Sequence, residues 1–175
     1  MAGFIQQDGK LYVGSAGAAA SVLVTTANQV AELNGNVVVE TTWEKAEARW
    51  RTKAVKDRVA YAIDAQITVE ELEFKASVLA NLFTAAATGS MPLYGESTAT
   101  ANYWRITTST APADKQWVFE FTKTDDQKRF QIYAPKAQAQ NWPTPFNTDT
   151  LTMQNITFDL MASTSGKFIE YLWEV

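Results

Sequence analysis

The chain has 175 residues, a formal charge of −4, and neither cysteine nor histidine. Its length suits one domain, and 46% hydrophobic with 12% aromatic residues suits a packed core rather than disorder. Without Cys or His there are no disulfides, no thiolate nucleophiles, no imidazole base and none of the common zinc sites or Ser and Cys triads. Carboxylates, lysine and tyrosine are the remaining acid–base groups, and the expectation is no enzyme, no metal and no cofactor.

Residues 1–9 lack a basic start followed by an apolar stretch, so no secretory signal is expected. The longest low-polarity run, 16–24, is too short to span a bilayer. The composition predicts a soluble protein made in the cytosol, without a membrane partner.

In chain order, residues 3–13 read as a strand or hairpin arm with a turn at Gln7-Asp8-Gly9. A small-residue loop over 14–20 precedes a β-branched, strand-like run over 21–26, and residues 28–32 read as an irregular or helical turn. Asn34-Gly35-Asn36 is a turn signal, and 37–42 is a strand. Residues 43–57 carry only a weak apolar stripe (Trp43, Ala46, Trp50, Ala54) and read as a long excursion between paired strands.

From 59 to 69 every odd residue is apolar (Val59, Tyr61, Ile63, Ala65, Ile67, Val69), the period of a half-buried strand. Leu72, Ala76, Leu79 and Phe83 then recur at helical spacing, so a long strand runs almost directly into a short helix. Glu70, Glu71 and Glu73 fit the start of that helix, with Thr68 and Glu71 at capping-box spacing, better than a pair of catalytic carboxylates. The helix is expected to fray before Gly89, with Pro92 beyond it.

Residues 95–101 read as a loop and 104–110 as a strand. Residues 117–121 and 129–134 form an alternating pair around the charged turn Thr124-Asp125-Asp126-Gln127, a hairpin. The prolines Pro135, Pro143 and Pro145 make 135–149 a loop. Residues 151–162 alternate with a change of parity near Asn155, which marks a bulge. Residues 168–173 close the chain as a strand. The fold class is therefore α+β, mainly β: a single domain over 1–175, an antiparallel sandwich or flattened barrel with one short helix and an extended loop at 41–58.

Charge is unevenly spread. Residues 41–58 hold six basic and three acidic side chains, or +3, and the remaining nine basic and sixteen acidic leave −7. A cationic protrusion on an anionic body favours head-to-tail association of copies. A solvated loop charged for solubility alone is the competing reading.

Asp8-Gly9-Lys10-Leu11-Tyr12-Val13-Gly14, Leu33 to Glu40, the strand and helix over 60–83, and Gln154-Asn155-Ile156-Thr157-Phe158-Asp159-Leu160 together cover about half the chain. In order and spacing they resemble the major tail (tail tube) proteins of long-tailed bacteriophages. Residues 89–149 depart most from that pattern. The resemblance implies a virion protein of the tail, assembled in the host cytoplasm. Its copies would form hexameric rings that stack into a tube, with other tail proteins at the tube ends and DNA passing through without specific binding. It also implies that the loop over 41–58 reaches the adjacent ring. Arg49, Arg51, Lys53 and Lys56 would then meet acidic groups there, with Trp43 and Trp50 as apolar anchors; local packing of both tryptophans on their own hairpin is the alternative. Because cations would grip phosphate, an acidic or polar bore is expected.

Three other readings compete. A capsid decoration or head–tail connector subunit shares the composition. A carbohydrate-binding β-sandwich would use Trp104, Trp117, Tyr133 and Trp142 as stacking platforms. Trp interleaved with basic residues over 43–58 also suits single-stranded nucleic acid, against which the overall acidity weighs.

Overall fold

The computed structural model describes residues 6–15, 23–49, 55–73, 76–84, 87–95, 98, 100–105, 107–123, 126–141 and 152–175. Its elements are β1 (Gln6–Ser15), β2 (Gln29–Leu33), β3 (Val37–Arg49), β4 (Val55–Glu73), α1 (Ala76–Leu82), β5 (Phe83–Thr84), β6 (Ala87–Pro92), β7 (Thr100–Arg105), β8 (Ala111–Pro112), β9 (Lys115–Lys123), β10 (Arg129–Ala139), β11 (Thr152–Leu160) and β12 (Glu170–Trp173). The fold is mainly β with one short helix, as the alternation of apolar residues predicts.

Six antiparallel strands close on themselves in the order β9-β1-β2-β4-β11-β10 and back to β9. Period-two patterning drives the closure. Leu11, Phe119, Ile132, Phe158, Ile67 and Val69 alternate inward on their strands and share one core. Phe158 packs at 5.0 Å from Trp117 and edge-on at 5.7 Å from Phe119, the tilted geometry that ring quadrupoles favour. Val78, Leu79 and Leu82 of α1 enter the same core, which places the helix against the barrel. A smaller cluster (Tyr12, Leu23, Val118, Tyr133) sits on the opposite face of β1, β9 and β10.

Two further strands of the same eight-stranded sheet, β3 and β12, lie outside the closed ring, and β5 with β8 and β6 with β7 form separate two-stranded ladders. β2 and β3 share one side of β4, β2 through Leu33 opposite Leu72 and β3 from Val37 opposite Val69 outward. Gly35 makes the switch between them possible. A Cβ there would lie 3.0 Å from the Glu71 backbone nitrogen, while Asn34 N–H donates to Glu71 C=O and Glu70 N–H to Asn36 C=O. At the other seam, β10 pairs with β11 through 137–139 and with β12 through 130–133.

Several expectations change. Within the stretch expected as an open loop over 41–58, residues 41–49 and 55–58 are paired strand, the ladder running to Arg49 opposite Val55, and 50–54 lie outside the described residues. The turn expected at Gln7-Asp8-Gly9 is continuous strand in β1, carrying a register irregularity there. Residues 23–28 are turns and the strand is Gln29–Leu33, the stretch read as irregular. Buried Leu23 anchors the outer cluster instead of entering a ladder.

The helix is shorter than its periodicity implies. β4 runs through Glu73, and α1 begins at Ala76 with no acid in its first turn, so the capping-box account of the three glutamates fails. Residues 87–92 and 100–105 form a hairpin where a helix end and a loop were expected, and 107–110 is a turn. Pro135 does not end β10; the ladder with β9 shifts between Ala134 and Ala137, an irregularity that tolerates a proline. The hairpin of β9 and β10 pairs as its alternation predicts, Phe121 opposite Phe130 and Phe119 opposite Ile132. The parity change at Asn155 is real, with Met153 and Ile156 both buried, but the expected bulge is absent: Gln154 opposes Glu71 and Ile156 opposes Val69, so neither strand gains a residue, and Asn155, at φ 54°, drops out of the pairing.

Candidate assembly surface

Hydrogen-bond parity decides what the outer strands offer. In an antiparallel ladder, opposed residues alternate between pairs that exchange bonds and pairs whose N–H and C=O point away. Glu70 N–H bonds Asn36 C=O, in the same register as Val38 opposite Thr68, Glu40 opposite Gln66 and Thr42 opposite Asp64. Val37, Val39, Thr41 and Trp43 therefore direct their backbone groups to the open side of β3. Likewise Glu174 N–H bonds Arg129 C=O, so Tyr171 and Trp173 direct theirs to the open side of β12. Among the described residues neither edge has a strand partner.

Soluble proteins usually shield such edges with lysine, proline or a covering loop. β12 instead exposes Tyr171, Leu172 and Trp173, the last 69% exposed. Arg129, Gln131, Leu172, Trp173 and Glu174 line a depression of about 270 Å³ beside it. Arg129 and Glu174 pair at 3.3 Å across it. The backbone N–H and guanidinium of Arg129 hold the Glu174 carboxyl below its ordinary range.

One outward face of β3, β4 and β11 is acidic and polar. Register places Glu40, Gln66 and Asp159 in one row, Val38, Thr68 and Thr157 in the next, and Thr42 beside Asp64, with Glu44 further out on the arm. Gln66 donates to Asp159 at 2.9 Å and the Thr68 and Thr157 hydroxyls meet at 3.3 Å, which ties the rows across strands. Glu40, Glu44 and Asp64 are exposed. None of these positions carries a cation.

The residues expected to dock a neighbour divide unevenly. Trp43 lies on β3 opposite Ile63 and is 54% exposed, so much of its ring is free for a partner. Arg49 ends β3 opposite Val55, and Lys56 lies in β4. Trp50, Arg51 and Lys53 lie outside the described residues.

The three glutamates do not converge on a cleft. Glu70 accepts from Asn36 Nδ2 at 2.8 Å and Glu71 from Thr152 Oγ1 at 2.9 Å, both structural contacts. Of the proposed carbohydrate platforms, Trp117 and Tyr133 are buried, so neither can stack on a sugar; Trp142 lies outside the described residues. The open edge of β12 escaped sequence reasoning. Its aromatic alternation was visible, but its place at the sheet border is a property of the topology.

Among the described residues no helix is long and apolar enough to cross a membrane. No known protein-family model matches the chain, and no curated protein matches it in sequence.

Proposed function

We propose that the chain is a self-assembling structural protein of a phage tail tube. Copies join sheet edge to sheet edge into hexameric rings, the rings stack, and DNA passes through the bore. The observation that carries this reading is the pair of border strands β3 and β12, whose outer sides have no strand partner among the described residues. Joining β3 of one copy to β12 of the next is a head-to-tail contact, and such contacts generate closed rings when the rotation permits.

The acidic face bearing Glu40, Glu44, Asp64 and Asp159 suits the bore, because like charge keeps phosphate from adhering. The paired arm over 41–58 projects the +3 segment toward the next ring. There Arg49, Arg51, Lys53 and Lys56 meet acidic groups, and Trp43 and Trp50 supply apolar contact. Other tail proteins cap the tube, and the protein resides in the virion tail after assembly in the host cytoplasm.

Negative-stain microscopy of the concentrated protein tests the reading. Rings or tubes are expected, and a strictly monomeric protein at every concentration would refute it. Arg49→Glu, Arg51→Glu and Lys53→Glu together should leave the monomer folded and stop stacking. Tube growth as efficient as that of the unmodified chain would dispose of the electrostatic role of the arm.

A further inference from the structure

The two border strands carry a direction and a register in their backbones. In β3 the outward N–H and C=O groups belong to Val37, Val39, Thr41 and Trp43, and in β12 to Tyr171 and Trp173. The side chains of those same residues lie on the core-facing side of the sheet. Val37 and Val39 oppose the core residues Val69 and Ile67, and Tyr171 opposes the core residue Ile132. The alternate residues, Val38, Glu40 and Thr42 on β3 and Glu170, Leu172 and Glu174 on β12, bond inward and present their side chains on the other face. Val38, Trp43, Tyr171, Leu172 and Trp173 are five of the eight large hydrophobic side chains exposed among the described residues, so exposed apolar surface concentrates on these two strands.

Parity decides how such edges join. Two outward-pointing residues exchange bonds directly only in an antiparallel pair, and their side chains then share a face. The core-facing rows of two copies become one apolar surface, and their outer rows meet each other. A parallel pair staggers the bonds, so Val39 would lie level with Leu172 and its row would run beside Glu170 and Glu174.

Charge then separates the antiparallel registers, because like charges directly opposite one another destabilise a ladder. Setting Val39 opposite Tyr171 brings Glu40 against Glu170. Setting Val39 opposite Val175 brings Glu40 against Glu174 and Glu44 against Glu170. Setting Trp43 opposite Trp173 avoids both clashes, but leaves only two outward pairs before the β3–β4 ladder shifts at Glu44 and Lys45. The remaining register gives three, with Val37, Val39 and Thr41 opposite Val175, Trp173 and Tyr171. It sets Glu40 against Leu172, while Glu170 and Glu174 keep the cations of their own copy, Lys167 and Arg129.

We propose that β3 of one copy pairs antiparallel with β12 of another in this register, Glu40 opposite Leu172. This rests on the self-assembly reading above and specifies its junction.

Glu40 and Leu172 then form a pair without mutual backbone bonds, whose Cα atoms lie about 4.5 Å apart and within disulfide reach. Same-face residues two positions along the strand, about 7–8 Å away, lie beyond it. Because the chain lacks cysteine, trapping has no background. Leu172→Cys is mixed in turn with Val38→Cys, Glu40→Cys, Thr42→Cys and Glu44→Cys, all at exposed positions, at a concentration that assembles, then mildly oxidised. Covalent dimer with Glu40→Cys is expected to exceed that with each of the other three by about tenfold or more. A maximum at Val38, Thr42 or Glu44, or equal yields from all four, would overturn the proposal. Assemblies visible by microscopy without cross-linking in any mixture would overturn this junction while leaving self-assembly standing. Absence of both assembly and cross-link would overturn the two together. An intrachain disulfide in the dilute Glu40→Cys/Leu172→Cys double variant would also overturn the proposal, since the two edges would then meet within one chain.

Discussion

Replacing Thr41 by proline separates the edge of β3 from its ladder. Thr41 lies opposite Ala65 in a pair whose backbone groups point outward, while its neighbour Thr42 exchanges bonds with Asp64. Thr41→Pro therefore removes an N–H that no described group uses, on an exposed edge position where proline is tolerated. The extended conformation that proline requires of the preceding residue is the one Glu40 already has in β3. The monomer should lose less than about 1 kcal/mol. Thr42→Pro removes a bond of the β3–β4 ladder and should cost about 1–3 kcal/mol.

For assembly the order reverses. An edge running from Val37 to Trp43 offers four outward residues, and a proline in the third breaks the shared ladder and adds a steric block at every subunit junction. Losing about 1–2 kcal/mol per junction weakens each association roughly 5- to 30-fold, and a closed ring repeats that loss at every junction. Urea unfolding measures the first effect and sedimentation velocity across a concentration series the second. If Thr41→Pro assembles at the same concentration as the unmodified chain, the outer edge of β3 is not a junction and the ring model built on it fails.

Two further outcomes follow from the packing. Burial, reinforced by Glu120, raises the Tyr12 phenol to about 12 from its ordinary 10.0. A raised phenol pKa contributes stability that is complete below pH 10 and is lost as pH climbs through 12. The amount is about 2–3 kcal/mol. Tyr12→Phe should flatten that part of the alkaline fall in urea stability, and equal alkaline slopes for both proteins would contradict the assignment. Gly35→Ala forces a methyl to 3.0 Å from the Glu71 nitrogen and 3.1 Å from the Glu70 and Glu71 β-carbons. It should cost about 1–3 kcal/mol by urea unfolding, and an unchanged midpoint would mean that the β2–β3 corner yields freely.

Local patterning made much of the fold legible. The odd-numbered apolar series through Val69, the hairpin of β9 and β10 and the parity change at Asn155 all lie in the sequence, because each is set by which face a residue must bury. The errors share a cause. Leu72, Ala76, Leu79 and Phe83 have helical spacing, yet Leu72 is strand because Met153 and Leu33 flank it across two ladders. Residues 87–92 look like a fraying helix end until their partner strand at 100–105 is known. Pairing between distant segments overrides local preference in sheets, where propensity mostly reflects the neighbours a strand acquires.

The candidate surface divides along the same line. The positive segment over 41–58 was evident from charge alone, since charge needs no partner to be counted. The open edges of β3 and β12 and the acidic row through Glu40 and Asp159 were not. A chain can encode that a strand forms and which of its faces is apolar. Whether that strand lies inside a sheet or at its border depends on where every other strand has gone, and only the closed ring of six, with β3 and β12 at its borders, decides that.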